Sequence, residues 1–325
     1  MIYDCFSFFN ELDILELRLE TLAPVVDYFV IVEADKTHAG AAKPLVFEQN
    51  KERFAKYLPK IIYAQSPIPE NISNPWAIEN IQRNYISDVV KQHAKPGDTI
   101  LISDLDELPR PELVKQYSGT NEVLSFNTDY YCYYINSQNY YQRNWLGTTM
   151  LSYENFFSVA DDIDVAYNDY MVAEYNQGTT PTKLRCAFEI KRRIIRNGGW
   201  HFSSLGGAEA VMKKLRAFAH QEFNSEELTV EQIESLISSG KGPFIKQIHF
   251  AKPIDSSFPK PIIDNPDKYA HLIFPVTKEY LKKTRIRRFS YKAWCGFYCF
   301  CEKIIPESLK RRISKILNKL RGLEK

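Results

Sequence analysis

The chain has 325 residues, 44% of them hydrophobic and 25% charged, which allows one large domain or two smaller ones and excludes general disorder. No window reaches the roughly 18 uninterrupted apolar residues of a spanning helix, and the opening MIYDCFSFFNELD lacks the regions of a cleaved signal peptide. A formal charge of +2 hides a split: residues 282–325 hold fourteen Lys/Arg against three acids, a net of +11, and residues 1–281 carry −9.

In chain order, MIYDCFSFF reads as a buried strand. Leu12, Leu15, Leu19 and Leu22 then recur at helical spacing until Pro24. VDYFVIVEA is a second buried strand, and RFAKYLPKIIYAQ supplies a short helix or turn and a third. In NPWAIENIQRNYISDVVKQHAKPGD, Asn74 is the expected N-cap with Pro75 at the first helical position. Ile78, Ile81, Tyr85 and Val89 form the expected apolar stripe of one helix ending before Pro96-Gly97. The strand TILISD follows. Alternating helices and continuous apolar strands predict a mostly parallel central sheet with helices on both faces. Beyond Glu122, VLSFNTDYYCYYINSQNYYQRNWLG predicts aromatic-rich strands. RRIIRNGGWHFSSLGGAEAVMKKLRAFAHQEFN predicts a strand, a Gly-Gly turn, a short WHFS segment and a helix from near Gly207. Residues 240–275, rich in proline, read as an ordered wrap.

The six cysteines form no CxxC pair with matching His, so structural zinc is not expected, and reduced thiols are. The chemically loaded stretch is TILISDLDELPRPE, a buried strand ending in Asp104, Asp106 and Glu107. Unpaired carboxylates there would be costly. On an extended backbone Asp104 and Asp106 point the same way about 6–7 Å apart, with Leu105 turned into the core. Such a pair can hold Mg²⁺ or Mn²⁺, completed by a substrate's phosphates. In a parallel sheet, the polar strand ends at Asn10-Glu11, Glu33 and Asp104–Glu107 would gather on one edge.

Six ordered blocks, YDCFSFFNELDILELRLETL, VDYFVIVEADKTHAGAAKPLVF, ENIQRNYI, ILISDLDELPRP, GGWHFSSLGG and FAHQEFN, resemble glycosyltransferase family 17 over roughly residues 2–275. The resemblance implies a GT-A-like fold, a nucleotide-sugar donor (UDP-N-acetylglucosamine in the family's typical enzyme), a divalent Mn²⁺ or Mg²⁺ and inversion at the anomeric carbon. It makes Asp104 and Asp106 the metal–diphosphate pair, Glu107 a supporting acid and His201 a third metal ligand. Glu33 would contact the nucleoside, and Arg83, Asn84 and Glu11 would face the donor. Glu209 is the expected general base, with Asp129 and Glu222 competing for the role. The animal members' N-terminal anchor and stem are not seen. The expected setting is therefore cytoplasmic, peripheral on the membrane face, with a glycan or lipid-linked glycan acceptor.

The expected organisation is a catalytic domain over 1–281, with a nucleotide-sugar half at 1–120 and an acceptor half with its wrap at 121–281. A basic amphipathic helical tail at 282–325 would bind an anionic membrane. Nucleic acid is not an expected partner. The alternative to an enzyme is a non-catalytic nucleotide-sugar or glycan-binding module on the same fold.

Overall fold

The computed structural model describes residues 1–72, 74–140, 144–161, 181–186, 189–219, 228–243 and 248–304. The chain divides into two compact units, Met1–Pro275 and Val276–Lys325.

The first unit opens as the apolar runs require. Strand β1 (Ile2–Phe8) is followed by α1 (Leu12–Leu22), β2 (Tyr28–Glu33), α2 (Val46–Asn50), a 3-10 segment and β3 (Ile61–Gln65). Helices α3 (Pro75–Asn84) and α4 (Ile86–His93) then lead to β4 (Thr99–Asp104). The side chain of Asn74 accepts from the backbone N–H groups of Trp76 and Ala77, the cap its position predicts. The expected single helix is two, broken at Tyr85. Ile78 and Val89 are buried, but so are Asn80, Gln82 and Arg83, which displace Ile81 and Tyr85 from the inner face. That polar inner face has a purpose, since it borders the cleft described below.

Strands β1 to β4 are parallel in the order β3-β2-β1-β4. Chain order reverses between β1 and β4, with Ser7 in register with Asp104 and Phe8 with Glu33. Such a switch point leaves a crevice beyond the strand ends. Tyr3, Cys5, Val30 and Val32 pack under α4 on one face; Phe6, Phe8, Phe29 and Ile31 pack under α1 on the other.

The sheet as a whole is mixed, which corrects the mostly parallel expectation. After β4 come β5 (Glu107–Pro109), α5 (Pro111–Tyr117), β6 (Leu124–Cys132), β7 (Ser137–Asn139), β8 (Asn144–Ser152), α6 (Tyr153–Ser158), α7 (Pro181–Cys186) and β9 (Arg193–Ser203). Helices α8 (Gly207–Ala217) and α9 (Val230–Ser238), β10 (His249–Ala251) and α10 (Lys260–Asp264) complete the unit. Strand β8 runs antiparallel between β4 and β6, and β7 and β10 add antiparallel edges. Only the β6–β7 pair is joined by a short loop, the connection that antiparallel neighbours allow.

The expected Gly-Gly turn is absent. Strand β9 continues through Gly198 and Gly199, parallel to β6 and antiparallel to β5, with a bulge in the β6 ladder around Asn197 (φ +52°). A Cβ on Gly199 would lie 2.0 Å from the Leu108 carbonyl oxygen, and one on Gly198 2.7 Å from Cβ of Phe126. The two glycines let three backbones close up. The proline-rich wrap seats Phe258, Ile262, Tyr269 and Leu272 in the α1-side core.

On edge strand β10, buried His249 accepts from the Ser137 hydroxyl at Nδ1 (2.6 Å) and donates from Nε2 to the Lys241 carbonyl (3.0 Å). Burial lowers its pKa from 6.5 to about 4. Below pH 6.5 the unfolded chain therefore takes up a proton that the folded chain refuses until about pH 4, so stability falls across that window. The full loss is roughly 3 kcal/mol. Denaturant melts at pH 7 and 4.5 should show a smaller difference in His249→Gln than in wild type.

The second unit contains α11 (Lys278–Ile304), with Ile286 81% and Phe289 74% exposed. No helix among the described residues is long and apolar enough to cross a membrane. The helix expected from Pro306 onward lies outside the described residues.

Candidate active site

At the β1/β4 switch point a cleft of about 410 Å³ is lined by Phe8, Phe9 and Glu11 after β1 and by Glu79, Gln82 and Arg83 of α3. The Asp104–Asp106 turn, Tyr130, Trp145, His201 and Lys214 complete its polar wall. That volume suits a ligand of drug-like size.

The acidic run is a bend and not an extended strand: β4 ends at Asp104, Leu105 and Asp106 turn, and β5 begins at Glu107. Leu105 enters the core as expected. Where the sequence predicts a metal and diphosphate, Asp104 and Glu107 meet arginine and Asp106 meets His201 and Lys214. Asp104 Oδ1 faces Arg83 at 3.0 Å and Oδ2 faces Arg185 of α7 at 2.9 Å. Burial alone would raise its pKa, but Arg185 and Arg83 outweigh this and hold the carboxyl far below the usual range. Asp106 faces His201 Nε2 at 3.5 Å and Lys214 Nζ at 3.7 Å, which lower its pKa against the effect of burial.

Glu107 is fully buried and supports this wall. It accepts from Trp145 Nε1 (2.6 Å), from both Nη atoms of Arg185 and from the Asp104 N–H (3.2 Å). On α3, Arg83 also donates to Glu79 at 2.8 Å, the i, i+4 pair the sequence shows. His38 completes that side, with Nε2 at 3.1 Å from Gln82 Oε1 and Nδ1 at 3.6 Å from Glu79. The Gln82 amide nitrogen donates to the Phe8 and Val32 carbonyls, so its oxygen is the acceptor and His38 Nε2 the donor.

His201, 6% exposed, is stacked on Tyr130 (4.6 Å between centroids) and close to Trp145 (4.8 Å). Among the described residues its Nδ1 has no hydrogen-bond partner. The 3.5 Å between Nε2 and Asp106 Oδ1 exceeds a good hydrogen bond. A divalent cation with bonds of roughly 2.0–2.2 Å to each atom fits such a separation. Hard cations often need only one or two protein ligands alongside substrate phosphates. The donor set at Asp106 and His201 therefore fits a metal, with Asp104 beside it in the arginine clamp. Among the described residues no three His, Cys, Asp or Glu side chains converge on one point.

Other expected residues lie elsewhere. Glu33 is buried outside the cleft lining, accepting from Lys43 Nζ, the Val46 and Phe47 N–H groups and the Tyr63 hydroxyl, so its carboxylate anchors the start of α2. Asn84 accepts from the Thr182 N–H and is not a lining residue. Glu209 is exposed and outside the lining. Five residues separate it from Lys214, about 140° around the helix. Asp129 alternates with cleft-facing Tyr130 and is also outside. Neither of these two acids lines the cleft among the described residues, and Glu222 lies outside the described residues. Glu11 does line the cleft and faces no cation among the described residues; its Oε2 accepts from the Asn10 N–H.

The profile of glycosyltransferase family 17 matches residues 1–247. Among curated proteins, the chain is similar to the beta-1,4-mannosyl-glycoprotein 4-beta-N-acetylglucosaminyltransferases of Homo sapiens and Mus musculus. Identities are 29% and 28% over 129 residues, or 36% of this chain. The aligned stretch spans 24% of the length of those relatives. Among solved structures, mannosyltransferase PcManGT from Pyrobaculum calidifontis in complex with GDP-Man and Mn²⁺ is similar at 12% identity and a TM-score of 0.37. The match covers 88% of this chain and 75% of that one, a likeness too slight to bear on ligand or mechanism. With three quarters of its length matched by one profile, the chain belongs to glycosyltransferase family 17.

Proposed function

We propose that the chain is a metal-dependent, inverting glycosyltransferase on a GT-A-like scaffold. It moves a sugar, N-acetylglucosamine from UDP-N-acetylglucosamine first among the donors to test, to a glycan or lipid-linked glycan. Family membership supports the reaction class. The single observation that carries the site is the meeting of Asp104, Asp106, His201, Arg83, Arg185 and Lys214 at one strand-switch point.

In the reaction, an acceptor hydroxyl gives its proton to a carboxylate base and attacks the anomeric carbon, while the bond to the diphosphate breaks and the bonding pair leaves with the phosphate. Asp106 and His201 would hold Mn²⁺ or Mg²⁺, which when bound would neutralise part of the leaving diphosphate's charge. Lys214, Arg83 and Arg185 supply fixed positive charge on the same side, where it stabilises charge developing in the transition state. Asp104 holds the two guanidinium groups at the acidic bend. Trp145 and Tyr130 wall the site with aromatic surface of the kind that stacks on sugar rings, and exclude water. The nucleotide-sugar panel is the test: purified protein with Mn²⁺ should release nucleoside diphosphate from one donor. A donor that binds and is never turned over, with any acceptor, would favour the binding-module alternative.

We also propose that α11 holds the enzyme on an anionic membrane surface, on the cytoplasmic face. Ile286 and Phe289 lie exposed among Lys282, Lys283, Arg285 and Arg287, which suits a helix in a headgroup region. Each basic residue near such a surface adds about 1 kcal/mol. The full chain should co-sediment with anionic liposomes at low salt and a chain ending at Pro275 should not. Equal sedimentation of both removes the role.

A further inference from the structure

Arg18 belongs to none of the groups assigned above, yet it is the largest fully buried side chain among the described residues, at 0% exposure. It sits on α1 in the segment LELRLETL, where an apolar residue would satisfy the helix pattern. Nε and Nη2 grip the Asp4 carboxylate of β1 at 2.7 and 2.6 Å, and Nη2 also donates to the Ser103 hydroxyl at 2.6 Å. Nη1 donates to three carbonyls of the acidic bend: Asp104 at 3.0 Å, Leu105 at 2.9 Å and Glu107 at 2.9 Å. The fourth carbonyl, of Asp106, accepts from the Phe202 N–H at 2.8 Å.

Every carbonyl from Asp104 to Glu107 is thus held, three of them by one nitrogen. With its carbonyls held in this way, the bend presents the Asp104 and Asp106 side chains to the cleft that they line. The Phe202 bond places Asp106 beside His201, its neighbour on β9. We infer that Arg18 is a positioning residue that sets the acidic bend from beneath, fixing Asp106 for the metal and Asp104 for its arginine clamp, without touching substrate or metal. The inference rests on the proposed metal-dependent reading of the cleft. Physically it follows from guanidinium geometry. Five N–H donors in a rigid plane can serve a carboxylate, a hydroxyl and a row of carbonyls together, whereas an ammonium has three donors at one point.

Arg18→Lys is the informative variant, because it keeps a positive charge against buried Asp4 and gives up the row of carbonyls. The readout is Mn²⁺ binding, from the free-ion paramagnetic resonance signal, alone and with UDP, at a temperature well below the variant's melting point. Arg18→Lys should weaken Mn²⁺ binding at least tenfold. Leu22→Ala, a core truncation on the same helix, should lower the melting temperature and leave Mn²⁺ affinity within twofold of wild type. Should Arg18→Lys not fold, Asp4→Asn loosens the same guanidinium from its other end and should weaken Mn²⁺ binding three- to tenfold. Mn²⁺ affinity within twofold of wild type in the folded variant overturns the positioning role and leaves the proposed function standing. An equal loss in Leu22→Ala also overturns it, since the effect would then be one of general stability. Wild-type protein that binds no Mn²⁺ with or without UDP overturns both.

Discussion

Asp106→Asn should reduce donor turnover on the order of 10³-fold while leaving the protein folded. The carboxylate stands at the cleft wall, its side chain 18% exposed, with one oxygen toward His201 and the other toward Lys214. Asparagine keeps the shape and removes the charge. Lys214, 31% exposed, can turn its ammonium to water, so little buried charge is stranded. Melting temperature without metal should move by no more than a few degrees. Asp104→Asn differs in kind, because Arg83 and Arg185 then lose a shared counter-charge within the wall. Circular dichroism with a nucleoside-diphosphate release assay separates the two effects. Turnover within tenfold of wild type in Asp106→Asn would remove the carboxylate from the metal site.

Gly199→Ala should cost about 3 kcal/mol or more, the upper range for forcing extra volume into a packed interior. The added methyl would meet the Leu108 carbonyl oxygen at 2.0 Å and Pro109 Cα at 2.8 Å, and neither backbone atom has a rotamer by which to escape. Relief requires β5 to move off β9. That pairing sets Glu107 opposite His201, so the strain reaches the cleft directly. The expected result is a marked loss of melting temperature together with loss of turnover. Gly97→Ala serves as the comparison: it lies in a turn with open space around it, and its cost should come from its positive φ alone. Equal melting temperatures for Gly199→Ala and wild type would show that the strands are not packed this closely.

The parallel half of the fold was legible because both faces of β1, β2 and β4 are buried, and burial on both faces writes continuous apolar runs into the sequence. The antiparallel half was less so. Strand β6 is also covered on both faces, yet it carries Asn127, Thr128 and Asp129, so its pattern could not reveal its neighbours. The Gly-Gly pair misled for a physical reason. Glycine marks a turn and a close backbone approach equally well, and only the third strand, β5, decides between them. At the site, Asp104 and Asp106 stood out because acids at a buried strand end demand partners. Arg185, Lys214 and Arg18 did not, since each meets the bend across roughly 80 to 110 residues of sequence, and nothing local distinguishes them from surface cations or a helix residue. Arg18 left one trace, a charged residue within an otherwise apolar helical face. Glu33 shows the opposite case: a carboxylate at a strand end whose partners are a helix start and two side chains.

Isothermal titration of UDP into the full chain, with and without Mn²⁺, tests the central claim most directly, since it reads the metal–diphosphate site without needing the acceptor. The account predicts saturable binding that requires Mn²⁺ and is lost in Asp106→Asn. Binding of equal strength without metal, or binding that survives Asp106→Asn unchanged, would contradict it.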